Sequence, residues 1–156
     1  MALKKEVIFA GTFDPFTLGH LAVVKKALKT FNKVIILLAI NDKKKPTYSL
    51  KERMKFIKLS IKGIKGVSVD YTDGYVVDYA KKHHIKILIR GIRNEKDYEY
   101  ETKMSKVNQK LAPDIMTMAI NVSERYKHIS SSKVRLLKQK GEDVSPYVNK
   151  AIIKYL

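Results

Sequence analysis

The sequence predicts an α/β fold: a single domain, residues 1–156, built on an open, doubly wound sheet of five parallel strands with helices on both faces. Two further helices close the C-terminal end. Three observations predict it. Apolar runs of strand length alternate along the chain with stretches whose apolar residues recur at helical spacing, and this alternation implies parallel pairing through right-handed crossovers. The run KVIILLAI at 33–40 is continuously apolar, as strands buried on both faces are. Polar clusters at 11–20, 41–45, 90–93 and 121–132 each follow a strand, so they converge on one edge, where the strand order reverses and ligands bind.

The elements follow in order. Residues 7–10 (VIFA) read as a buried strand and 21–28 (LAVVKKAL) as a helix. Between them lies GTFDPFTLGH, so two glycines, an Asp-Pro step and a histidine occupy a strand-to-helix turn. Backbone N–H groups and the positive helix end face an anion at such a turn, and His20 opens the helix where a phosphate would rest. After the strand at 33–40 comes a polar loop, 41–48, carrying Lys43, Lys44, Lys45 and Pro46. Ser49 with Glu52 is a capping-box pattern for a helix to about residue 62. A turn at 63–66 precedes a strand at 67–71, a helix at 75–84 and a strand at 85–89 that ends at Arg90-Gly91. A helix at 95–111 stops before Pro113, a fifth strand spans 115–120, and helices near 131–140 and 146–156 end the chain.

Composition narrows the function. With 156 residues, 45% of them apolar, the chain can bury a real core. No apolar stretch approaches the roughly 20 residues of a membrane span, and the opening MALKK lacks the apolar core of a signal peptide. Cysteine is absent, which excludes disulfide and thiolate chemistry. A soluble cytoplasmic protein is expected, with neither nucleic acid nor membrane as partner. The formal charge of +17 argues less than it suggests. Of 32 basic residues 27 are lysine, scattered through every segment, whereas phosphate and base recognition favours the planar fork of arginine.

Neither a GxxxxGK[ST] loop nor a GxGxxG fingerprint is present, so a nucleotide would bind by another route. GIKG at 63–66 mimics the GxxG of an RNA-binding module but follows a helix, where it reads as a C-cap turn. His83 and His84 end a lysine-rich helix and read as surface residues. No His, Cys or carboxylate cluster has metal-ligand spacing, so no protein metal site is expected. Arg90 falls at the tip of an apolar strand and Arg93 three residues on; each needs an anion, from a ligand or from Asp97 or Glu99. Lys44, taken alone, is a solvated charge. Ser130, Ser131 and Ser132 before a helix are first an N-cap, and they also offer hydroxyls and N–H groups to a polyphosphate.

Thr17-Leu18-Gly19-His20 matches the TxGH signature of a nucleotidyltransferase superfamily with a Rossmann-like fold, and Ile129-Ser130-Ser131-Ser132 its ISSS element. Lys44-Lys45-Pro46, LIRGIR at 88–93 and DYEYE at 97–101 complete five elements in the order found in bacterial phosphopantetheine adenylyltransferases, which the chain resembles over nearly its full length. The resemblance implies transfer of AMP from ATP to 4′-phosphopantetheine by direct in-line attack without a covalent intermediate. The products would be dephospho-coenzyme A and pyrophosphate, at the penultimate step of coenzyme A synthesis. It further implies that His20 contacts the α-phosphate, that Thr12 and Lys44 hold the attacking phosphate and the transition state, and that Arg90 meets the phosphopantetheine phosphate. Arg93 with Ser130, Ser131 and Ser132 would grip the β- and γ-phosphates, which makes His20, Thr12, Lys44 and Arg93 the catalytic set. Val76 and Asn108 would touch the pantetheine arm. Gly11, Phe13, Gly91, Ile92, Glu101, Tyr126, Lys127, His128 and Ile129 would line the nucleotide side. Mg²⁺ would arrive on the ATP phosphates, coenzyme A would be a feedback ligand, and the assembly would be a homohexamer.

Two other readings stay open at this point. Cytidylyltransferases for glycerol phosphate or phosphocholine share the GTFD…GH opening, though they tend to HxGH and RTxGISTT where this chain has Thr17 and ISSS. A basic nucleic-acid-binding domain would show steep salt dependence, but the basic residues form no stripe interleaved with aromatics.

Overall fold

The computed structural model describes residues 3–40 and 43–156; Met1 and Ala2, and Asn41 and Asp42 of the polar loop after the second strand, lie outside the described residues. The elements are β1 (Leu3–Gly11), α1 (Leu18–Ala27), β2 (Phe31–Ala39), α2 (Leu50–Ser60), β3 (Val67–Thr72) and α3 (Val76–Lys82). They continue with β4 (Ile87–Ile92), α4 (Glu95–Leu111), β5 (Met116–Asn121), a 3₁₀ turn at Glu124–Tyr126, α5 (Ser131–Gln139) and a 3₁₀ helix at Lys150–Tyr155. All five strands pair in parallel in the order β3-β2-β1-β4-β5. The order reverses between β1 and β4, so the carboxyl ends of these neighbours open the crevice that such sheets use for ligands.

Strand alternation divides the core. Val7 and Phe9 of β1 pack with Leu21, Val24 and Ile57 on one face; Ile8 and Ala10 pack with Val77, Ala80, Ile85 and Ala112 on the other. On β2, Val34, Ile36, Leu37 and Leu38 have no exposed surface, as the unbroken apolar run requires. Burying each contributes about 1.5–3 kcal/mol. A third cluster joins Phe56 of α2 to Val134 of α5 and to Val144, Val148 and Ile152 near the C-terminus.

Three elements differ from the sequence expectation. Helix α1 begins at Leu18 rather than 21, because the Thr17 hydroxyl caps it by accepting from the His20 amide. Strand β4 spans 87–92 rather than 85–89: the Ile85 amide bonds to Ala80 O at 2.8 Å and finishes α3 instead. Arg90 therefore lies inside the strand, opposite Ala119 of β5, and not at its tip. The expected helix at 146–156 is a 3₁₀ helix restarted at Lys150, with the Asn149 side chain capping it by accepting from the Ala151 amide at 2.9 Å. Val144, Val148 and Ile152, four residues apart, still bury one apolar stripe. Other ends shift by one or two residues, apart from β1, which extends back to Leu3.

Two glycines set close approaches near the crevice. A Cβ at Gly91 would lie 2.8 Å from Val23 Cγ2, so β4 passes α1 at a distance only glycine permits. A Cβ at Gly11 would lie 3.1 Å from the Phe13 ring, which folds back under the turn at a φ of 48°.

Candidate active site

The turn from β1 to α1 is built around one histidine. The Thr17 amide donates to His20 Nδ1 at 2.9 Å, and the Thr17 hydroxyl lies 3.1 Å from the same nitrogen. His20 in turn donates its amide to Thr17 Oγ1 at 3.3 Å. The Thr and His of TxGH thus form a capping box, which explains their three-residue spacing. An amide N–H can only donate, so Nδ1 is the acceptor and the neutral ring carries its hydrogen on Nε2. Phe13 stands edge-on to the imidazole at 4.9 Å between centroids, and Phe16 lies at 5.3 Å. Burial among these rings pulls the His20 pKa down to about 3, with the charges of Arg93 and then Arg90 adding to the effect. His20 is therefore a neutral hydrogen-bond donor at working pH, not a proton carrier.

That shift has a consequence for stability. In an unfolded chain the imidazole titrates near 6.5 and in the folded one near 3. Above pH 6.5 it is neutral in both states and stability is unaffected. As pH falls from 6.5 toward 3 only the unfolded chain takes up the proton, so stability drops progressively with pH through this residue. Urea unfolding at pH 7, 6, 5 and 4 should show that component in the native protein and not in His20→Gln. Parallel slopes for the two would contradict it.

Arg90 and Arg93 are held by acidic residues of α4. Arg90 Nε and Nη2 donate to the two Glu101 oxygens, both at 2.9 Å, and Nη1 donates to Ala10 O. Arg93 Nε donates to Asp97 Oδ2 at 3.0 Å and Nη1 to Ile129 O at 3.1 Å. The expected internal partner Asp97 is thus realised for Arg93; Arg90 takes Glu101, not Asp97 or Glu99. Both guanidiniums keep further N–H groups beyond these bonds. The Ser130 side chain caps α5 by accepting from the Lys133 amide at 3.1 Å, and the Ser131 hydroxyl donates to Pro15 O at 2.7 Å. The serine element is therefore fastened to the GTFDP turn.

Two cavities adjoin along the carboxyl edge of the sheet. The larger, about 720 Å³, is lined by Lys44, Val76 and Asn108, among others; the smaller, about 350 Å³, by Phe13, His20, Gly91, Arg93, Ile129, Ser130, Ser131 and Ser132. Ala10, Gly11, Thr12, Arg90, Tyr100 and Glu101 line both and form the shared wall. Most residues singled out in the sequence thus come together. Ile92 is buried, Tyr126 packs on the core, Lys127 pairs with Glu124 at 2.7 Å, and His128 stands edge-on to Tyr147; none of these four lines either cavity.

Sequence reasoning missed Asp14, Arg53 and Arg135, which lie behind the turn. Asp14 is 6% exposed and Arg53 4%. The chain itself held a signal: only five of its 32 basic residues are arginine, and Arg53, Arg90, Arg93 and Arg135 all bond around this crevice.

A parallel sheet that switches direction beside a capped TxGH turn, with arginines and a serine-capped helix around one crevice, defines a nucleotidyltransferase. The model of cytidylyltransferase-like domains matches residues 8–137. A solved structure from Vibrio parahaemolyticus, provisionally named a nicotinate-nucleotide adenylyltransferase, shares the fold with a TM-score of 0.73 at 21% identity, covering 97% of this chain and 91% of that one. The phosphopantetheine adenylyltransferase of Thermotoga neapolitana is 37% identical over 149 residues, 96% of this chain and 92% of that protein. That of Campylobacter curvus is 40% identical over 154 residues, 99% of each. The chain belongs to the phosphopantetheine adenylyltransferase family.

Proposed function

We propose that this enzyme, as one nucleotidyltransferase domain acting in the cytoplasm, transfers AMP from ATP to the phosphate of 4′-phosphopantetheine. An oxygen of that phosphate attacks the α-phosphorus in line. The bond from the α-phosphorus to the bridging oxygen breaks, pyrophosphate leaves, and dephospho-coenzyme A is formed. The observation that carries the reading is the pair of cavities meeting at Gly11, Thr12 and Arg90. One suits a triphosphate and the other a long, partly apolar arm, with their phosphate ends together at the shared wall.

The chemistry asks little of the protein beyond position and charge. A phosphate monoester is already a nucleophile, so no catalytic base is needed. Neutral His20 offers Nε2–H to the α-phosphate, where charge grows in the transition state. Thr12 and Lys44 hold the attacking phosphate, with Arg90 beside them, while Val76 and Asn108 touch the arm. Arg93 and the serines at 130–132 take the β- and γ-phosphates, and Gly91 and Glu101 border the nucleotide. Mg²⁺ would come with the ATP: Asp97 and Glu101, the carboxylates of the smaller cavity, each engage an arginine, leaving the ion to phosphate oxygens and water. Coenzyme A carries the same arm and should inhibit competitively with phosphopantetheine. The test is pyrophosphate release from ATP with and without phosphopantetheine; release independent of the acceptor would refute the reading.

Self-association fits the same picture. Helix α4 buries none of its 17 residues; Val107 and Leu111 stay exposed on it, as does Met116 on the edge strand β5. Exposed apolar side chains on an uncovered helix and edge strand mark an interface, and we read it as that of a homohexamer. Light scattering should give about six times the 17.9 kDa chain mass; a monomer mass at assay concentration would contradict it.

A further inference from the structure

We infer that Asp14 is a positioning residue for Lys44, setting the height of the lysine loop over the larger cavity. The inference rests on the proposed role of Lys44. The segment Lys43-Lys44-Lys45 is exposed and belongs to neither a helix nor a strand. Three adjacent ammonium groups repel one another, and holding their long side chains costs entropy. Such a loop needs an external anchor to present a lysine reproducibly.

Asp14 supplies one. Its Oδ2 accepts from the Thr47 amide at 2.8 Å and its Oδ1 from the Tyr48 amide at 2.9 Å, so both carboxylate oxygens are spent on the loop. Asp14 lines neither cavity and acts on a ligand there only through what it holds. Burying this carboxylate is tolerable because the two amides and a guanidinium compensate it. Arg135 of α5 lies 3.8 Å from Oδ2, donates to the Asp14 carbonyl at 2.6 Å and reaches Ser132 Oγ at 3.3 Å. Arg53 of α2 donates to Tyr48 O and to Thr12 O, both at 3.0 Å, stitching the same loop to the turn. One buried carboxylate thus ties the phosphate-binding turn, the lysine loop and the serine-capped helix into a single frame. Lys44 sits three residues before the first tethered amide.

The test combines amide hydrogen exchange with a double-mutant cycle. In Asp14→Asn the carboxamide NH₂ cannot accept, so one loop amide loses its partner while side-chain volume is kept. Exchange at Thr47 and Tyr48 should accelerate while α1 and α5 keep their protection. The kcat/KM for phosphopantetheine should fall about 10–100-fold, as displacement of a positioned group does. Added to Lys44→Ala, the same change should cost less than about twofold, because coupled residues are not additive. Thr47→Pro removes one amide from the loop's side, leaves the buried charge intact, and should reproduce the loss if Asp14→Asn does not fold. Unchanged exchange at Thr47 and Tyr48, or a full additive loss on top of Lys44→Ala, would overturn the inference. Full activity in Lys44→Ala itself would instead remove the role of that lysine and with it the purpose of the tether, although the exchange readout would still register the tether.

Discussion

Replacing His20 by alanine is expected to lower kcat by about 10²–10³, the usual cost of deleting one donor aimed at developing charge. The substitution removes the Nε2–H that the capping box directs into the smaller cavity, and it leaves the Thr17 amide without its acceptor. Because the bond strengthens only as charge builds on the α-phosphate, kcat and kcat/KM should fall together, with little change in KM for ATP. His20→Gln, which restores a neutral donor of similar reach, should recover part of the loss. The low pKa of His20 adds a further constraint: the rate should show no histidine limb between pH 5 and 8. Turnover near the native value in His20→Ala would remove the histidine from the mechanism.

The second large effect concerns Arg90, which the structure ties to Glu101 and the account assigns to a ligand phosphate. Arg90→Ala leaves a carboxylate that is only 12% exposed without its fork, and it strands the Ala10 carbonyl. Breaking a fully buried pair costs about 3–5 kcal/mol; here the arginine side chain is 32% exposed, so about 2 kcal/mol is expected. The kcat/KM for phosphopantetheine should fall about 10–100-fold, the worth of a charge-assisted hydrogen bond. Removing both partners in Arg90→Ala/Glu101→Ala separates the two roles. Stability should recover in part, since no unpaired charge remains and only the Ala10 carbonyl still lacks its donor, while activity stays low. If activity returns with stability, Arg90 serves only its ion pair.

Much of this site was legible because its signals are local. A strand, two glycines, an Asp-Pro step and a threonine three residues before a histidine can be read as a phosphate turn from spacing alone. The same holds for the capping box at Ser49 and Glu52 and for the unbroken apolar run that became β2. What escaped was long-range. Asp14 reads as half of an Asp-Pro turn; its partners Thr47, Tyr48 and Arg135 lie 33 to 121 positions away. Arg90 reads as a strand tip because the apolar run ends there, yet β4 continues through Gly91 and Ile92, with Glu101 making the half-buried guanidinium tolerable. The C-terminal stripe of Val144, Val148 and Ile152 has helical spacing but follows turns, since Asn149 restarts the chain as a 3₁₀ helix.

The central claim is the reaction itself, and one assay addresses it directly. The purified protein is incubated with ATP, Mg²⁺ and 4′-phosphopantetheine, and pyrophosphate release is followed, with CTP replacing ATP in parallel. The account predicts release with ATP that depends on phosphopantetheine and little with CTP. Release with CTP alone, or none with either nucleotide, would contradict it.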